Sequence, residues 1–176
     1  MRTENEMIAS RDLIRAGLVE LVAVCHDASK SRGWWLDPIT GLSLIPGESG
    51  TTKPNEDEII EAWFPYVIGT KIALIHSEVS EALEAYRTDA FDDKLKNIKG
   101  VCAESADVLI RVADLMGCLQ AYEMAKERMA GGSVEGETSA YTEYNLAAAT
   151  VLKLSFNVGR PDHALEARRK PGGKRF

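Results

Sequence analysis

Two pairs of acidic residues at helical spacing are the part of this sequence best suited to chemistry. Glu78 and Glu81 form the first pair, and Glu104 and Asp107 form the second. Residues three apart share one face of a helix, with Cβ atoms roughly 5–6 Å apart, so each pair can direct two carboxylates at one point. Both pairs border apolar stripes where helices would pack, and carboxylates gathered there lose hydration unless cations compensate. The spacing therefore predicts a site for hard divalent metal ions.

The side-chain types in these pairs favour Mg²⁺ or Mn²⁺. Carboxylate oxygens suit both ions, and Mg²⁺ usually completes its coordination with water and substrate phosphates. A ferritin-like di-iron bundle would need Glu-x-x-His on two helices, but none of His26, His76 and His163 has an acid three residues before it. Metal-assisted phosphoryl chemistry is therefore the reaction that the acids indicate.

Apolar residues recur at helical spacing over most of the chain, and no convincing alternating strand is present. The helices expected from this periodicity cover residues 6–31, 57–63, 65–86, 98–129 and 141–157. Pro65 is expected in the first turn of its helix, and the stretch at about 33–56, rich in glycine and proline, is expected to be a long loop. The sequence therefore predicts one all-α domain over 1–176, built as a bundle of four main helices.

Composition disfavours several classes of function. The net charge of −6 argues against a general nucleic-acid binder, and no apolar run approaches the ~18 residues of a membrane span. The N-terminal MRTENEM lacks the basic start and apolar core of a secretory signal. The three cysteines stand at unrelated spacings, as is typical of reduced thiols. We therefore expect a cytoplasmic protein whose partners include neither nucleic acid nor membrane.

The ordered motifs resemble those of the MazG-like all-α nucleoside triphosphate pyrophosphohydrolases, which include dCTP pyrophosphatases and dimeric dUTPases. ExxE is followed after 22 residues by ExxD, which fits that family. Three further pieces look like compact members from bacteriophages and bacteria: His26 with GWW at 33–35, KLSFNVGRP at 153–161 and the closing GGKRF. Two departures are Ser77, where the family often has a second acid, and a longer stretch at about 117–144, which looks like an insertion or a lengthened helical hairpin.

The resemblance implies the fold and the activity of that superfamily. The expected reaction converts a nucleoside triphosphate, with a deoxynucleotide favoured, to the monophosphate and pyrophosphate, in nucleotide-pool control or house-cleaning. The implied catalytic residues and ligands of two or three Mg²⁺ ions, with Mn²⁺ as a substitute, are Glu78, Glu81, Glu104 and Asp107. Either Glu78 or Glu81 could instead hold the attacking water as a general base. The resemblance also implies a homodimer or homotetramer, located in the host cytoplasm if the protein comes from a phage.

Several polar side chains near the end of the sequence are candidates for phosphate binding. Lys153 and Asn157 lie four residues apart on a common helical face, and Arg160 follows them. An ammonium, an amide and a guanidinium are suitable phosphate partners. The basic tail at 168–176 adds Lys174, which the Pro-Gly-Gly turn before it could fold back towards the site. For each of them the alternative is a solvated helix end or tail.

The nucleobase pocket is expected, from the same resemblance, to involve His26, Trp34 and Trp35. An aromatic pair directly after a helix is more often part of the core, and that alternative stays open for both tryptophans. His76 lies off the face of the acids by the rotation of about one residue and is expected to be structural.

Other interpretations of the acids remain. Glu61, Glu84 and Asp114 show that the chain also carries acids outside any motif, so a salt-bridged helix face is one alternative. Another is a non-catalytic helical protein that binds a nucleotide or a partner and uses metal only for stability. A phosphodiesterase or phosphatase is a weaker alternative, because no histidine- or cysteine-based nucleophile accompanies the acids.

Overall fold

The computed structural model describes residues 4–48, 54–131, 143–158, 160 and 165–171 of this protein. Its helices are α1 (Glu4–Ser31), α2 (Pro54–Thr88), α3 (Gly100–Met129), α4 (Leu146–Val158) and the short α5 (Leu165–Arg169). The described ranges contain no strand, only two isolated β-bridges within loops. The predicted all-α fold with a bundle of four main helices is therefore confirmed. None of the described helices is both long enough and apolar enough to cross a membrane.

Helix α3 lies at the centre of the packing, because α2 contacts one side of it and α1 the other, while α4 packs along α1. Two buried apolar clusters account for this order. The first joins α2, α3 and the loop after α1 through Trp35, Ile45, Phe64, Leu115 and Cys118. The second joins α1 and α3 through Val22, Cys25 and Ala113. Burial of both faces explains why α3 has the weakest polar–apolar division of the long helices.

Helices α2 and α3 run antiparallel, so that the two acidic motifs face each other. The loop between them closes with a β-bridge between Phe91 and Lys99, and the Lys99 ammonium lies 2.7 Å from Asp89 Oδ1. Gly100 begins α3 against the last turns of α2, where a Cβ at position 100 would lie only 2.8 Å from the Cβ of Ala85. A glycine at this position therefore allows the two helices to approach closely directly above the acids.

Pro65 lies inside α2, and the prediction of two helices at 57–63 and 65–86 was wrong. Proline removes one N–H and one helical hydrogen bond, which usually ends or kinks a helix. Here the neighbouring Phe64 is buried in the first apolar cluster, whereas Pro65 is exposed. Core packing therefore holds the helix on one side, while Pro65 lies on its exposed side.

The last helices also begin at positions that differ from the prediction. Helix α4 starts at Leu146 instead of 141, because the side-chain oxygen of Asn145 caps it by accepting a 2.8 Å hydrogen bond from the N–H of Ala148. The predicted insertion at 117–144 divides into the end of α3 and a segment of which 132–142 lies outside the described residues. Of the predicted basic tail at 168–176, only 168–171 are described, and α5 overlaps its start.

The described part of the long loop, residues 32–48, folds back on itself and places Trp35 in the core. Leu36 and Ser43 form a β-bridge, and the Asp37 carboxylate accepts hydrogen bonds from the Thr40 N–H, the Thr40 hydroxyl and the Ile39 N–H. These hydrogen bonds, that from the Thr40 N–H foremost, lower the pKa of Asp37. The tight turn directs Trp35 and Ile45 into the first apolar cluster between α2 and α3.

We expect Gly117→Ala to lower the free energy of unfolding by about 1–3 kcal/mol, although alanine favours helix. A Cβ at position 117 would lie 2.5 Å from the Cβ and 2.7 Å from the Cγ of His26. Those atoms are close to the backbone of α1, so relief requires α1 and α3 to separate. Urea unfolding followed by circular dichroism measures the loss.

Gly69→Ala is the matched control, because a Cβ at that helical position meets nothing within 4 Å. It should stabilise the protein by up to ~1 kcal/mol through helix propensity alone. Equal effects of the two substitutions would show that the contact with His26 does not constrain position 117.

Candidate metal centre

Three of the four predicted carboxylates meet at the interface of α2 and α3. One oxygen from each of Glu78, Glu104 and Asp107 lies within 4.8 Å of the others. Glu78 is buried, Glu104 is half-buried and Asp107 is exposed, so the group opens towards solvent on the side of Asp107. Three convergent carboxylate oxygens with one open side form a donor set that suits a hard divalent ion.

Glu81 lies at the rim of this group. It follows Glu78 by one turn of α2 but is exposed, and it is outside the set of mutually close oxygens. Its charge nevertheless contributes to raising the pKa of Glu104. Glu81 is therefore close enough to act on whatever the three carboxylates hold, without being committed to the group itself.

The electrostatics of Glu104 reflect the crowding of negative charge. Burial raises its pKa above the ordinary value of 4.5, and a hydrogen bond with Glu78 and the charges of Glu81, Glu78 and Asp107 raise it further. Each contribution favours the neutral carboxyl over the carboxylate. In the metal-free site Glu104 is therefore protonated more readily than a carboxyl group in water. A bound cation would replace that proton.

Arg111 is a member of the site that the sequence analysis missed. Its Nη2 lies 2.6 Å from Glu78 Oε1, in an ion pair between α3 and α2. The available signal was its position four residues after Asp107, which places both side chains on one face of α3. Lys71, two turns before Glu78 on α2, and Asp114, seven residues after Asp107 on α3, continue this polar face. We call the following set the charged seam: Lys71, Glu78, Glu104, Asp107, Arg111 and Asp114.

Lys71 connects the charged seam to the loop after α1. Its ammonium donates a 3.0 Å hydrogen bond to the backbone carbonyl of Trp34 and lies 4.1 Å from the centre of a Trp35 ring. Burial lowers the pKa of Lys71, against the opposing charge of Asp114. The lysine therefore fixes the two tryptophans relative to α2 and is not available as a freely mobile phosphate ligand.

Asp114 is buried and joins three elements, although it belongs to no sequence motif. Its Oδ1 accepts hydrogen bonds from Trp35 Nε1 at 2.7 Å and from His26 Nδ1 at 2.9 Å. An ionised carboxylate only accepts hydrogen bonds, so Nδ1 of His26 carries a proton. The other ring nitrogen, Nε2, is buried and has no hydrogen-bond partner among the described residues. His26 also lines an open cleft of about 310 Å³ between α1 and α3, together with Gly117 and Gln120.

The structure separates the three residues predicted for a nucleobase pocket. The Trp35 side chain is 1% exposed and belongs to the first apolar cluster, which agrees with the alternative of a core residue, and its base-binding role stays a prediction. His26 is buried against Asp114 and borders the cleft. Trp34 is 66% exposed, and its ring is the one of the three that offers a free face.

The predicted phosphate-binding residues lie on a different helix from the acids. Lys153 and Asn157 are on α4, which packs along α1, and Arg160 follows that helix. The cationic groups of Lys153 and Arg160 both lie over the ring of Phe156, at 5.4 and 5.7 Å from its centre. Lys174 is outside the described residues. The phosphate-binding role of these residues therefore stays a prediction.

Glu104→Gln should change how the stability of the metal-free protein depends on pH. A raised pKa in the folded state means that protonation of Glu104 stabilises the fold fully below the ordinary value of 4.5 and that this stability is lost as the pH rises through the raised pKa. Glutamine is neutral throughout and avoids the loss. Urea unfolding in EDTA, from pH 4.5 to neutral, measures this difference. As the pH rises, the free energy of unfolding of the wild type should fall below that of the variant.

Glu84→Gln, which removes an exposed acid of the same helix pair, is the control and should follow the wild-type pH profile. If Glu104→Gln also follows that profile, the charges around Glu104 do not affect folding.

Asp114→Ala should lower the free energy of unfolding by about 2–6 kcal/mol, since two buried groups lose their acceptor at ~1–3 kcal/mol each. The affected groups are Trp35 Nε1 and His26 Nδ1. Glu84→Ala, an exposed acid-to-alanine change, should stay within about 0.5 kcal/mol of wild type. Comparable values for both variants in urea unfolding would contradict the organising role of Asp114.

Comparisons of the chain with protein-family models, with curated proteins and with solved structures found no match. A helical bundle hosts many unrelated functions, so the fold alone does not identify one. The residues of the metal centre and their surroundings therefore carry the functional conclusion.

Proposed function

We propose that this protein is a cytoplasmic, Mg²⁺-dependent nucleoside triphosphate pyrophosphohydrolase, which converts a nucleoside triphosphate, with a deoxynucleotide favoured, to the monophosphate and pyrophosphate. The observation that carries the proposal is the convergence of Glu78, Glu104 and Asp107 within 4.8 Å between α2 and α3. The resemblance of the ordered ExxE and ExxD motifs to MazG-like proteins supports the choice of substrate.

The residues of the site fit Mg²⁺ or Mn²⁺. Glu78, Glu104 and Asp107 would hold the ion through carboxylate oxygens. Burial first, and the neighbouring acids second, raise the pKa of Glu104, which supports a site where a cation would be stabilising. When bound, such ions lower the pKa of a coordinated water and neutralise charge on the phosphates. The exposed side at Asp107 leaves room for phosphate oxygens to complete the coordination.

Glu81 is the better of the two candidates for the general base. Glu78 is buried and already paired with Arg111, whereas Glu81 is exposed one turn away and has no place in the three-oxygen group. A carboxylate at the rim can accept a proton from an attacking water without giving up a metal bond. The four acids thus divide into three metal ligands and one base.

Trp34 is the residue best placed to stack against a nucleobase. Its ring is exposed, and its own backbone carbonyl accepts a hydrogen bond from Lys71. Lys71 lies seven residues before Glu78, roughly 10 Å along the helix axis at 1.5 Å per residue, and an extended nucleoside triphosphate can span such a distance. Lys153, Asn157, Arg160 and Lys174 remain proposed phosphate ligands.

The alternative function is that of a non-catalytic helical protein that binds a nucleotide or a partner and has a structural metal site. The ion pair between Arg111 and Glu78 favours it, because it shows that the charged seam can be compensated within the protein itself. This alternative gives Mg²⁺-dependent melting without turnover, whereas the enzyme releases pyrophosphate.

A panel of ribo- and deoxyribonucleoside triphosphates with Mg²⁺ tests the proposal directly. We expect at least one substrate to yield pyrophosphate and monophosphate, with no turnover in EDTA. Asp107→Asn and Glu81→Gln should each lower kcat by at least about 100-fold, the usual range for loss of a metal ligand or a general base. Both residues are exposed, so circular dichroism should show unchanged helicity.

Asp93→Asn, an exposed acid in the loop between α2 and α3, is the control and should keep full activity. Release of orthophosphate alone, or full rates in EDTA, would overturn the proposed reaction. Metal-dependent melting with no product from any nucleotide would favour the non-catalytic alternative.

We also propose a homodimer or homotetramer. Helix α2 exposes large apolar side chains along its length, including Trp63, Tyr66, Leu83 and Tyr86. Leu83 and Tyr86 are three residues apart and therefore share one helical face. Exposed apolar side chains that share a face are typical of protein–protein interfaces, and obligate interfaces often bury more than ~2,000 Å².

Light scattering at micromolar concentration should therefore give a multiple of the 19.3 kDa chain mass. Leu83→Glu should shift the protein towards the monomer, because it places a charge in the proposed interface. Ile39→Glu, at an exposed loop position, should not. A wild-type mass of one chain would refute the assembly.

A further inference from the structure

We propose that Arg111 is the resident counterion of the carboxylate group and that divalent metal ions displace it from Glu78 when they bind. The inference rests on the metal site of the proposed function, but it does not depend on which reaction that site performs. It assigns a role to Arg111, which belongs to neither the ExxE nor the ExxD motif.

The two partners of this ion pair differ in their freedom to move. The Glu78 side chain is 7% exposed, whereas that of Arg111 is 39% exposed, although Arg111 Nη2 and Glu78 Oε1 are only 2.6 Å apart. Glu78 lies at the interface of α2 and α3, so its carboxylate has little contact with water. Arg111 can rotate its guanidinium towards solvent while its alkyl chain stays on α3. Exchange of the cation therefore requires movement of one side chain only.

The metal-free protein needs this counterion. Glu78, Glu104 and Asp107 converge within 4.8 Å, and leaving a buried carboxylate without a partner is strongly destabilising. Among the described residues, Arg111 is the cation that forms an ion pair with this group. Lys71, the other cation of the charged seam, is committed to the Trp34 carbonyl and the Trp35 ring. Arg111 thus allows α2 and α3 to pack before any metal arrives.

A bound metal ion would also neutralise the carboxylates, so it would compete with Arg111 for Glu78. Mg²⁺ binds carboxylate oxygens at about 2.0–2.1 Å, and a guanidinium on the same carboxylate would repel the dication at short range. An oxygen of Glu78 also lies within 4.8 Å of carboxylate oxygens of Glu104 and Asp107, so an ion held by the group would lie close to the guanidinium. Metal binding therefore has to break the contact between Arg111 and Glu78. The free energy of that contact makes the free energy of metal binding less favourable by the same amount.

The test is metal affinity in Arg111→Gln, measured by calorimetric titration of the full chain with Mg²⁺ and with Mn²⁺. We expect the dissociation constant to fall about tenfold, equivalent to ~1.4 kcal/mol, because the metal no longer displaces a cation. The melting temperature in EDTA should be lower than that of wild type, and the deficit should shrink at saturating metal. A residue that only supports the fold would weaken metal binding when it is lost.

Arg87→Gln is the matched control. Arg87 forms an exposed pair with Glu84 at 3.7 Å on the same helix as Glu78, and its substitution changes the net charge by the same amount. Its metal dissociation constant should stay within about twofold of wild type, since exposed pairs contribute little. Arg111→Lys retains a charge without the planar fork, so it folds even if Arg111→Gln does not, and its affinity should lie between those of wild type and Arg111→Gln.

Unchanged or weaker metal binding in both Arg111 variants would overturn this inference and leave the proposed function intact. Absence of Mg²⁺ or Mn²⁺ binding to wild type would overturn the metal site and both proposals with it. The variants could also bind metal more tightly while the wild-type protein releases no pyrophosphate from any nucleotide. That result would support the counterion role of Arg111 and overturn the proposed reaction.

Discussion

The packing of α2 against α3 depends on compensation of buried negative charge. Apolar contacts at one end of this interface, through Phe64, Leu115 and Cys118, bring the helices together, but the other end gathers carboxylates that repel one another. The guanidinium of Arg111 and the raised pKa of Glu104 are two physical answers to the same constraint. Charge compensation therefore determines whether the acidic motifs can face each other at all.

Asp114 extends this dependence to the rest of the bundle. Its carboxylate accepts hydrogen bonds from His26 on α1 and from Trp35 in the long loop, while it remains part of the charged seam. One buried acid of α3 thus sets the positions of α1 and of the long loop relative to α3. The free energy of such an arrangement is shared among its hydrogen bonds, so the loss of any member should affect the others. The metal centre is consequently supported from its far end.

Much of the fold and part of the site could be predicted from sequence, because helical spacing alone fixes which residues share a face. That spacing predicted the approach of Glu104 and Asp107 to one point, and the apolar periodicity predicted four main helices. Pro65 was misinterpreted because proline propensity is local, whereas burial of Phe64 is a tertiary effect. Arg111 and Asp114 were missed because their partners lie on other elements, at sequence separations that no local pattern reveals.

The burial of Trp35 has a spectroscopic consequence. Of the three tryptophans in the chain, Trp34 and Trp63 are exposed by 66% and 64%, whereas Trp35 is enclosed between the Lys71 ammonium and the Asp114 carboxylate. Small aqueous quenchers such as iodide can reach the first two indoles and not the third. The residual fluorescence under quenching therefore originates in the α2–α3 interface, and its emission maximum reports the local electric field of the charged seam without any added label.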